Sequence, residues 1–292
     1  MTTGHAAVAV WVPATFVVLW STGFVVARYA TADAAPLTFL TVRMAIAGMV
    51  LGWAARRWGG PRPPLRTLGW VGLAGVGLHA LYLGGVFVAV DRGMASGVSS
   101  LIAGLHPVLT GVLAWLLLGE GLSVRRRVGV GLGLLGVVLV VVERTTGSAI
   151  GLSAVALVAS TLSVMGMSVG TLVQRRHGVG VSLLWATTAQ YASSAAVLGL
   201  AASAVEGWHY DMTLRSTLAM SWAVGVLSVA AVLLMLWLLQ RRTAASVSSL
   251  FFVTPALSTV EGAVLFDERL GALALLGLVL GISGVALVTL RS

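Results

Sequence analysis

The stretch AGLHPVLTGVLAWLLLGE at residues 103–120 decides much of the fold, because its pattern returns as FFVTPALSTVEGAVLFDE at residues 251–268. Pro107 and Glu120 recur as Pro255 and Glu268, each 148 residues later. Between proline and glutamate both stretches are largely apolar, and each is close to the length of helix that crosses a bilayer. The pattern predicts two membrane helices at equivalent places of a repeated unit.

The repeat extends to both sides of these stretches. Downstream, three glycines recur at the same offset, Gly129, Gly133 and Gly136 as Gly277, Gly281 and Gly284. Upstream, a polar segment recurs at an offset of 149, with Arg92, Ala95, Ser99, Ser100 and Leu101 returning as Arg241, Ala244, Ser248, Ser249 and Leu250. We therefore predict two homologous halves, residues 1–145 and 146–292.

Composition places the chain in a membrane. Of 292 residues 58% are hydrophobic and 9% charged, with a mean hydropathy of +1.01, whereas soluble domains carry about 25% charged residues. A soluble fold of this length has too little interior to bury so much apolar surface. The +9 net charge is attributed to arginines in short loops, which set orientation in a bilayer, and not to nucleic-acid binding.

The apolar runs predict an all-α protein of ten transmembrane helices. A crossing helix needs about 20 apolar residues, and these runs lack the alternation of apolar and polar residues that marks membrane strands. The predicted spans are 8–28, 35–55, 69–90, 95–118, 127–143, 150–173, 181–203, 216–239, 245–266 and 271–290.

Arginine distribution predicts the orientation. Twelve arginines lie at one end of the predicted bundle, the arginine-rich end, and five at the other, the arginine-poor end. The positive-inside rule places the arginine-rich end and both termini in the cytoplasm. Because each half holds five spans, the two halves are expected to be inverted relative to each other, an architecture typical of alternating-access carriers.

The chain resembles the ten-helix EamA-type branch of the drug/metabolite transporter superfamily. The resemblance covers nearly the whole chain and is carried by Trp20-Ser21-Thr22-Gly23-Phe24, Pro36 with Arg43, Ala95…Ser100…Pro107…Glu120 and Ala244…Ser249…Pro255…Glu268. The resemblance implies a multi-pass exporter of amino acids or related metabolites in the bacterial inner membrane. Within the superfamily, the chain is similar to the aromatic amino-acid exporter branch. Gln190 stands about where the first half has Arg43, so the halves are not chemically equivalent.

Polar and aromatic residues near the middle of spans are the candidates for lining a substrate cavity, since carriers of this type bind at the midplane. They are Trp20, His79, Tyr82, His106, Gln190 and Tyr191. His79 is the first choice, because an imidazole in a membrane is costly unless it is paired or faces a wet cavity. Tyr82 lies three residues further on the same helical face. The alternative for His79 is a packing role with a hydrogen bond to a neighbouring helix.

Two intramembrane charges and two prolines complete the candidate set. Arg43 and Glu261 lie at similar depth, so we predict that they pair; alternatively Glu261 carries a proton and Arg43 meets a substrate carboxylate. Pro107 and Pro255 are predicted hinges, because proline removes a helical hydrogen bond; the alternative is a static kink. Glu120 and Glu268 are expected to fix loops near the two faces.

The glycines at positions 129, 133, 277 and 281 form Gly-x-x-x-Gly in the fifth and tenth spans. Small residues four apart let helices approach closely. We expect these two helices to pack together or to form the face of a homodimer; otherwise the protein is a monomer. The expected partners are a small-molecule substrate and membrane lipid.

Other classes of function fit less well. The chain has no cysteine, no clustered metal ligands and no Gly-x-Ser-x-Gly elbow, so we predict no enzyme activity, no metal and no cofactor. It has no lysine and no nucleotide-binding loop, which excludes direct coupling to ATP. The alternatives that stay open are an importer or facilitator of another metabolite on the same fold, a channel and a lipid flippase.

Overall fold

The computed structural model describes residues 3–118, 123–146, 153–241, 250–251, 253–268 and 270–289, without the side chains of 3–10, 117–118, 144–146, 236, 239–241 and 289. Within these residues the chain is helical and contains no strand beyond one isolated bridge between Ala34 and Tyr210. Glu120, Ala244, Ser248 and Ser249, and the start of the predicted ninth span, lie outside the described residues.

Thirteen α-helical segments and two π-helical segments make up the described chain. They are α1 (Thr3–Ala30), α2 (Pro36–Trp58), α3 (Leu65–Gly75), π1 (Val76–Leu81), α4 (Tyr82–Asp91), α5 (Ser96–Gly104), α6 (His106–Leu118), α7 (Val124–Thr146), α8 (Ala154–His177), α9 (Leu183–Val205), α10 (Leu214–Ser221), π2 (Trp222–Ala230), α11 (Ala231–Arg241), α12 (Thr254–Phe266) and α13 (Ala272–Thr289). Within the described residues, each predicted span is mainly helical.

Length and composition make six described helical segments able to cross a membrane. They are Trp11–Ala30, Pro36–Trp58, Leu65–Asp91, Ser96–Leu116, Ala154–His177 and Leu214–Met235. The apolar helix Ala272–Val288 is shorter than these six. Three arginines follow Val124, the first residue of α7. Large apolar side chains such as Leu134, Val138 and Val279 are exposed on the outer faces of helices, where a lipid environment would cover them.

The third and eighth predicted spans share an irregularity. Each contains a π-helical stretch, π1 in one and π2 in the other, with α-helix on both sides. Gly75, just before π1, touches the backbone of Gln190, so closely that a Cβ there would overlap it. Single π turns inside α-helices are frequent at functional sites, and π1 carries His79.

The fourth span is interrupted beside its proline. α5 ends at Gly104, Leu105 forms a turn, and Pro107 is the second residue of α6. Pro255 likewise is the second residue of α12. Both prolines thus occupy a first helical turn, where the missing N–H costs no helical hydrogen bond. The interruption at Leu105 lies two residues before Pro107, and hinge motion there stays a prediction.

Corresponding helices of the two halves pack directly on each other and run antiparallel. In the pair α7–α13, Gly129 lies against Gly284, whereas Gly136 lies against Gly277. In the pair α2–α9, Gly48 lies against Tyr191 and Gly199 against Thr41.

The same antiparallel order holds for α5–α12, with Gly97 against Thr259 and Gly104 against Pro255. The expected packing of the fifth and tenth spans is therefore confirmed. All the Gly-x-x-x-Gly residues at positions 129, 133, 277 and 281 are buried within the chain, so a homodimer, which stays a prediction, would have to use other helix faces.

Candidate functional site

A cavity of about 290 Å³ lies between helices of both halves. Its wall is mainly aromatic and aliphatic, with five polar or charged side chains besides the tyrosines. The apolar and aromatic lining comprises Trp20, Gly23, Phe24, Leu78, Tyr82, Leu83, Val86, Phe87, Met167, Leu183, Tyr191, Leu227, Val232, Met235 and Phe251; the polar lining comprises Arg43, His79, Gln174, Thr187 and Gln190. Such a volume suits one small metabolite.

A chain of hydrogen bonds crosses the cavity wall. The Gln190 amide nitrogen donates to Oε1 of Gln174 over 3.0 Å, and the Gln190 amide oxygen lies 3.2 Å from Nε2 of His79. In this orientation of the Gln190 amide, its oxygen can only accept a hydrogen bond. Nε2 of His79 must therefore carry the hydrogen. The His79 ring also meets Tyr191 edge-on, with centroids 4.8 Å apart. π1 and α9 together thus fix the imidazole.

Arg43 brings a positive charge to the cavity from α2. Its side chain is buried, and its Nε donates to Oγ of Ser228 in π2 over 3.0 Å. Among the described residues that line the cavity, none is acidic. The guanidinium therefore has further donors available to an anionic group in the cavity.

The predicted ion pair between Arg43 and Glu261 is wrong. Glu261 Oε1 lies 2.6 Å from Ser21 Oγ, in the interface of α1 with α12, whereas Arg43 donates to Ser228 in a different interface. Similar depth in the membrane did not determine which helical face each charge occupies.

Five of the six predicted lining residues surround this cavity: Trp20, His79, Tyr82, Gln190 and Tyr191. His106 is not part of its lining. Nδ1 of His106 lies 3.3 Å from the Ala103 carbonyl oxygen in the last turn of α5, and the His106 carbonyl accepts a hydrogen bond from Ser168.

Sequence reasoning missed the polar residues Gln174 and Thr187. Gln174 lies one residue beyond the predicted sixth span, whose helix in fact continues to His177. Thr187 lies three residues before Gln190 on the same helix, and this spacing of polar residues on one helical face could have signalled the wall.

The cavity ends below the arginine-poor end of the bundle. Phe39 stacks on Phe87 with centroids 5.8 Å apart and on Tyr210 at 6.3 Å. The cavity wall instead includes Leu183, the first residue of α9, which lies at the arginine-rich end. Aromatic packing thus separates the cavity from one end of the bundle.

Carboxylates hold helix starts at the same arginine-poor end. Glu206 accepts from the backbone N–H groups of Leu37 and Thr38 at the start of α2, and Glu268 accepts from Ser96 at the start of α5. Both use the positive end of a helix dipole. The expected loop-fixing role of Glu268 fits this contact, and Glu120 lies outside the described residues.

The sequence pattern of the EamA-like transporter family matches residues 8–142 and again residues 153–290. The chain belongs to the EamA-like transporter family. One relative of this family member is named only as an uncharacterized transporter, YvbV, of Bacillus subtilis (strain 168). The two are 24% identical over 280 residues, covering 94% of this chain and 90% of that one.

A solved crystal structure of a protein shares the fold of this EamA-like transporter. The match has a TM-score of 0.64 at 21% identity and covers 97% of this chain and 96% of the other. Neither comparison names a cargo. The finding that the chain is a transporter therefore stands on the family match.

Proposed function

We propose that this transporter exports amino acids with aromatic or apolar side chains across the bacterial inner membrane by alternating access. The observation that carries the proposal is the buried, acid-free setting of Arg43 in an aromatic cavity. A guanidinium recognises a carboxylate with two parallel hydrogen bonds. The ring faces of Trp20 and Phe87 suit an apolar side chain.

The amino group of such a substrate would meet neutral acceptors and ring faces. Tyr82 and Tyr191 bring hydroxyl groups to the same wall as His79. An ammonium group also gains from aromatic faces, by about 0.5–2 kcal/mol. The cavity therefore suits a zwitterion that is held mainly through its carboxylate.

Alternating access is proposed from the relation between the halves. The family pattern matches twice, three pairs of corresponding helices run antiparallel, and the π-helical stretches occur in corresponding spans. These observations favour ten crossing helices in two inverted units, which can exchange conformations around a central site. Both termini are proposed to be cytoplasmic, from the arginine distribution.

Exchange of labelled substrate tests the proposal. Purified protein in liposomes loaded with unlabelled phenylalanine should take up labelled phenylalanine from outside, and external tryptophan, tyrosine or leucine should compete. Protein-free liposomes are the control. If none of these amino acids competes and a sugar nucleotide is exchanged instead, the proposed amino-acid substrate is wrong, but the carrier fold is unaffected. Movement of lipid without any solute would refute the cavity argument as well.

A further inference from the structure

A polar seam lies between α1 and α12, outside the cavity lining. In it, Ser21 Oγ lies 2.6 Å from Oε1 of Glu261, and Ser258 Oγ donates to the Ser21 carbonyl over 3.3 Å. Ser21 and Ser258 are fully buried. The transport cavity does not use this carboxyl group, and carboxyl groups within membrane helices are costly enough to need a reason.

The number of available hydrogens determines which group donates in this seam. The Ser21 hydroxyl has one hydrogen but two acceptors in range, the Val18 carbonyl at 2.9 Å and Glu261 Oε1 at 2.6 Å. Both contacts are satisfied if a protonated Glu261 donates to Ser21 and Ser21 donates to Val18.

The second carboxyl oxygen supports the same assignment. Glu261 Oε2 is buried and has no hydrogen-bond partner. A charged oxygen in that position would lose its hydration without compensation, whereas the carbonyl oxygen of a neutral acid loses far less. The geometry thus describes a carboxylic acid that holds its proton.

Among the described side chains of the helices packed against α12, no cation pairs with Glu261. These helices are α1, α5 and α13, and their described side chains include two titratable groups, Arg28 and Tyr29 at the end of α1. Tyr29 packs on Phe266, and Arg28 lies 6.0 Å from the centre of the same ring. Asp267 and Glu268 follow α12, and Glu268 binds the start of α5. The described ion pairs do not include Glu261.

We propose that Glu261 and Ser21 form a proton-binding site that couples export to proton entry. In the step that releases the proton, the Glu261 O–H bond breaks and the proton passes to a water molecule. The Ser21 hydroxyl then turns from Val18 to the carboxylate Oε1. Restoring the acid reverses both changes, so each cycle carries one proton.

The position of α1 explains how this site reaches the cavity. Trp20, Gly23 and Phe24 face the cavity, while Ser21 on the same turns faces Glu261. A charge on Glu261 disfavours the dry packing of α1 on α12, and this changes the balance between two arrangements of α1. The inference rests on the proposed function, since it needs a transported solute.

Accumulation and exchange in liposomes separate the two proposals. With an interior one pH unit more acidic than the outside, wild-type protein should accumulate labelled phenylalanine about tenfold inside, the limit for one proton per solute. Glu261→Gln should exchange phenylalanine at a near wild-type rate, because exchange needs no net proton movement, yet accumulate none. Asp211→Asn, which alters an exposed carboxylate, should behave as wild type in both assays.

Exchange without accumulation in wild-type protein, or undiminished accumulation in Glu261→Gln, would overturn the proton site while the carrier stands. Absence of exchange in wild-type protein would instead overturn the proposed cargo.

The infrared spectrum of the full chain tests the proton site independently. A protonated carboxylic acid band at pH 7 should be present in wild type and missing in Glu261→Gln; a wild-type spectrum without that band would refute the inference.

Discussion

Asp33 and Arg215 form a two-pronged ion pair that joins the two halves at the arginine-poor end of the bundle. Arg215 Nε donates to Asp33 Oδ2 over 2.6 Å, and its Nη2 donates to Oδ1. Thr213 adds a third hydrogen bond of 2.7 Å to the same carboxylate. Asp33 follows α1, and Arg215 lies in the first turn of α10, so the pair links the end of α1 to the start of α10.

This pair should make stability depend on acid. The hydrogen bond from Arg215 lowers the pKa of Asp33 from 3.8 to about 2. A carboxylate with a depressed pKa stabilises the fold above its unfolded pKa, and that contribution is lost as the pH falls from about 4 to about 2. Asp33→Asn should therefore lower the melting temperature in detergent at pH 7, and the difference from wild type should shrink across this range.

The control for this experiment is Asp211→Asn, since Asp211 is largely exposed and lies 3.6 Å from His209. Its melting temperature should follow that of wild type at every pH. A stability difference for Asp33→Asn that persists unchanged at pH 2 would show that the ion pair is not its source.

Close packing of α7 on α13 predicts a sharp difference between two glycines of one helix. A Cβ on Gly136 would lie 2.7 Å from the Gly281 nitrogen, whereas a Cβ on Gly131 would meet nothing within 4 Å. Overpacking costs about 1–3 kcal/mol, so Gly136→Ala should unfold at a lower temperature than wild type. Gly131→Ala should match wild type or gain up to about 1 kcal/mol from helix propensity.

Thermal unfolding of both variants in the same detergent measures this contrast. Equal melting temperatures for Gly136→Ala and Gly131→Ala would mean that the two helices do not pack through these glycines.

Arg43 should determine affinity for the substrate carboxylate. Hydrogen bonds to a charged group contribute about 1.5–3 kcal/mol, which corresponds to roughly 10- to 150-fold in affinity. Arg43→Gln should weaken phenylalanine binding by that factor, measured by calorimetry on the purified protein. Arg56→Gln is the matched control, because Arg56 lies on the same helix but is exposed and outside the cavity lining. Equal affinity in the two variants would place the carboxylate elsewhere.

Helix positions could be predicted from the sequence because membrane crossing imposes a simple requirement of length and apolarity. The packing of the fifth and tenth spans was also predictable, since Gly-x-x-x-Gly is a local signal for close approach. Five cavity residues followed from their depth along their spans.

The missed features depend on contacts between distant segments. The π-helical turn that carries His79 fits against Gln190, 111 residues later, and local sequence does not specify it. Depth alone placed Arg43 near Glu261, but the rotation of each helix about its axis turned one toward Ser228 and the other toward Ser21. His106 is likewise at the right depth, but its ring contacts the Ala103 carbonyl in the last turn of α5.

Accessibility of single cysteines tests the two inverted units most directly. The chain has no cysteine of its own, so Ser123→Cys and Asp267→Cys can each be labelled in intact cells with a membrane-impermeant thiol reagent. Both positions are exposed at the ends of helices. With two inverted units, position 267 should be labelled from outside and position 123 only after the membrane is opened; labelling of both from the same side would contradict the inverted arrangement.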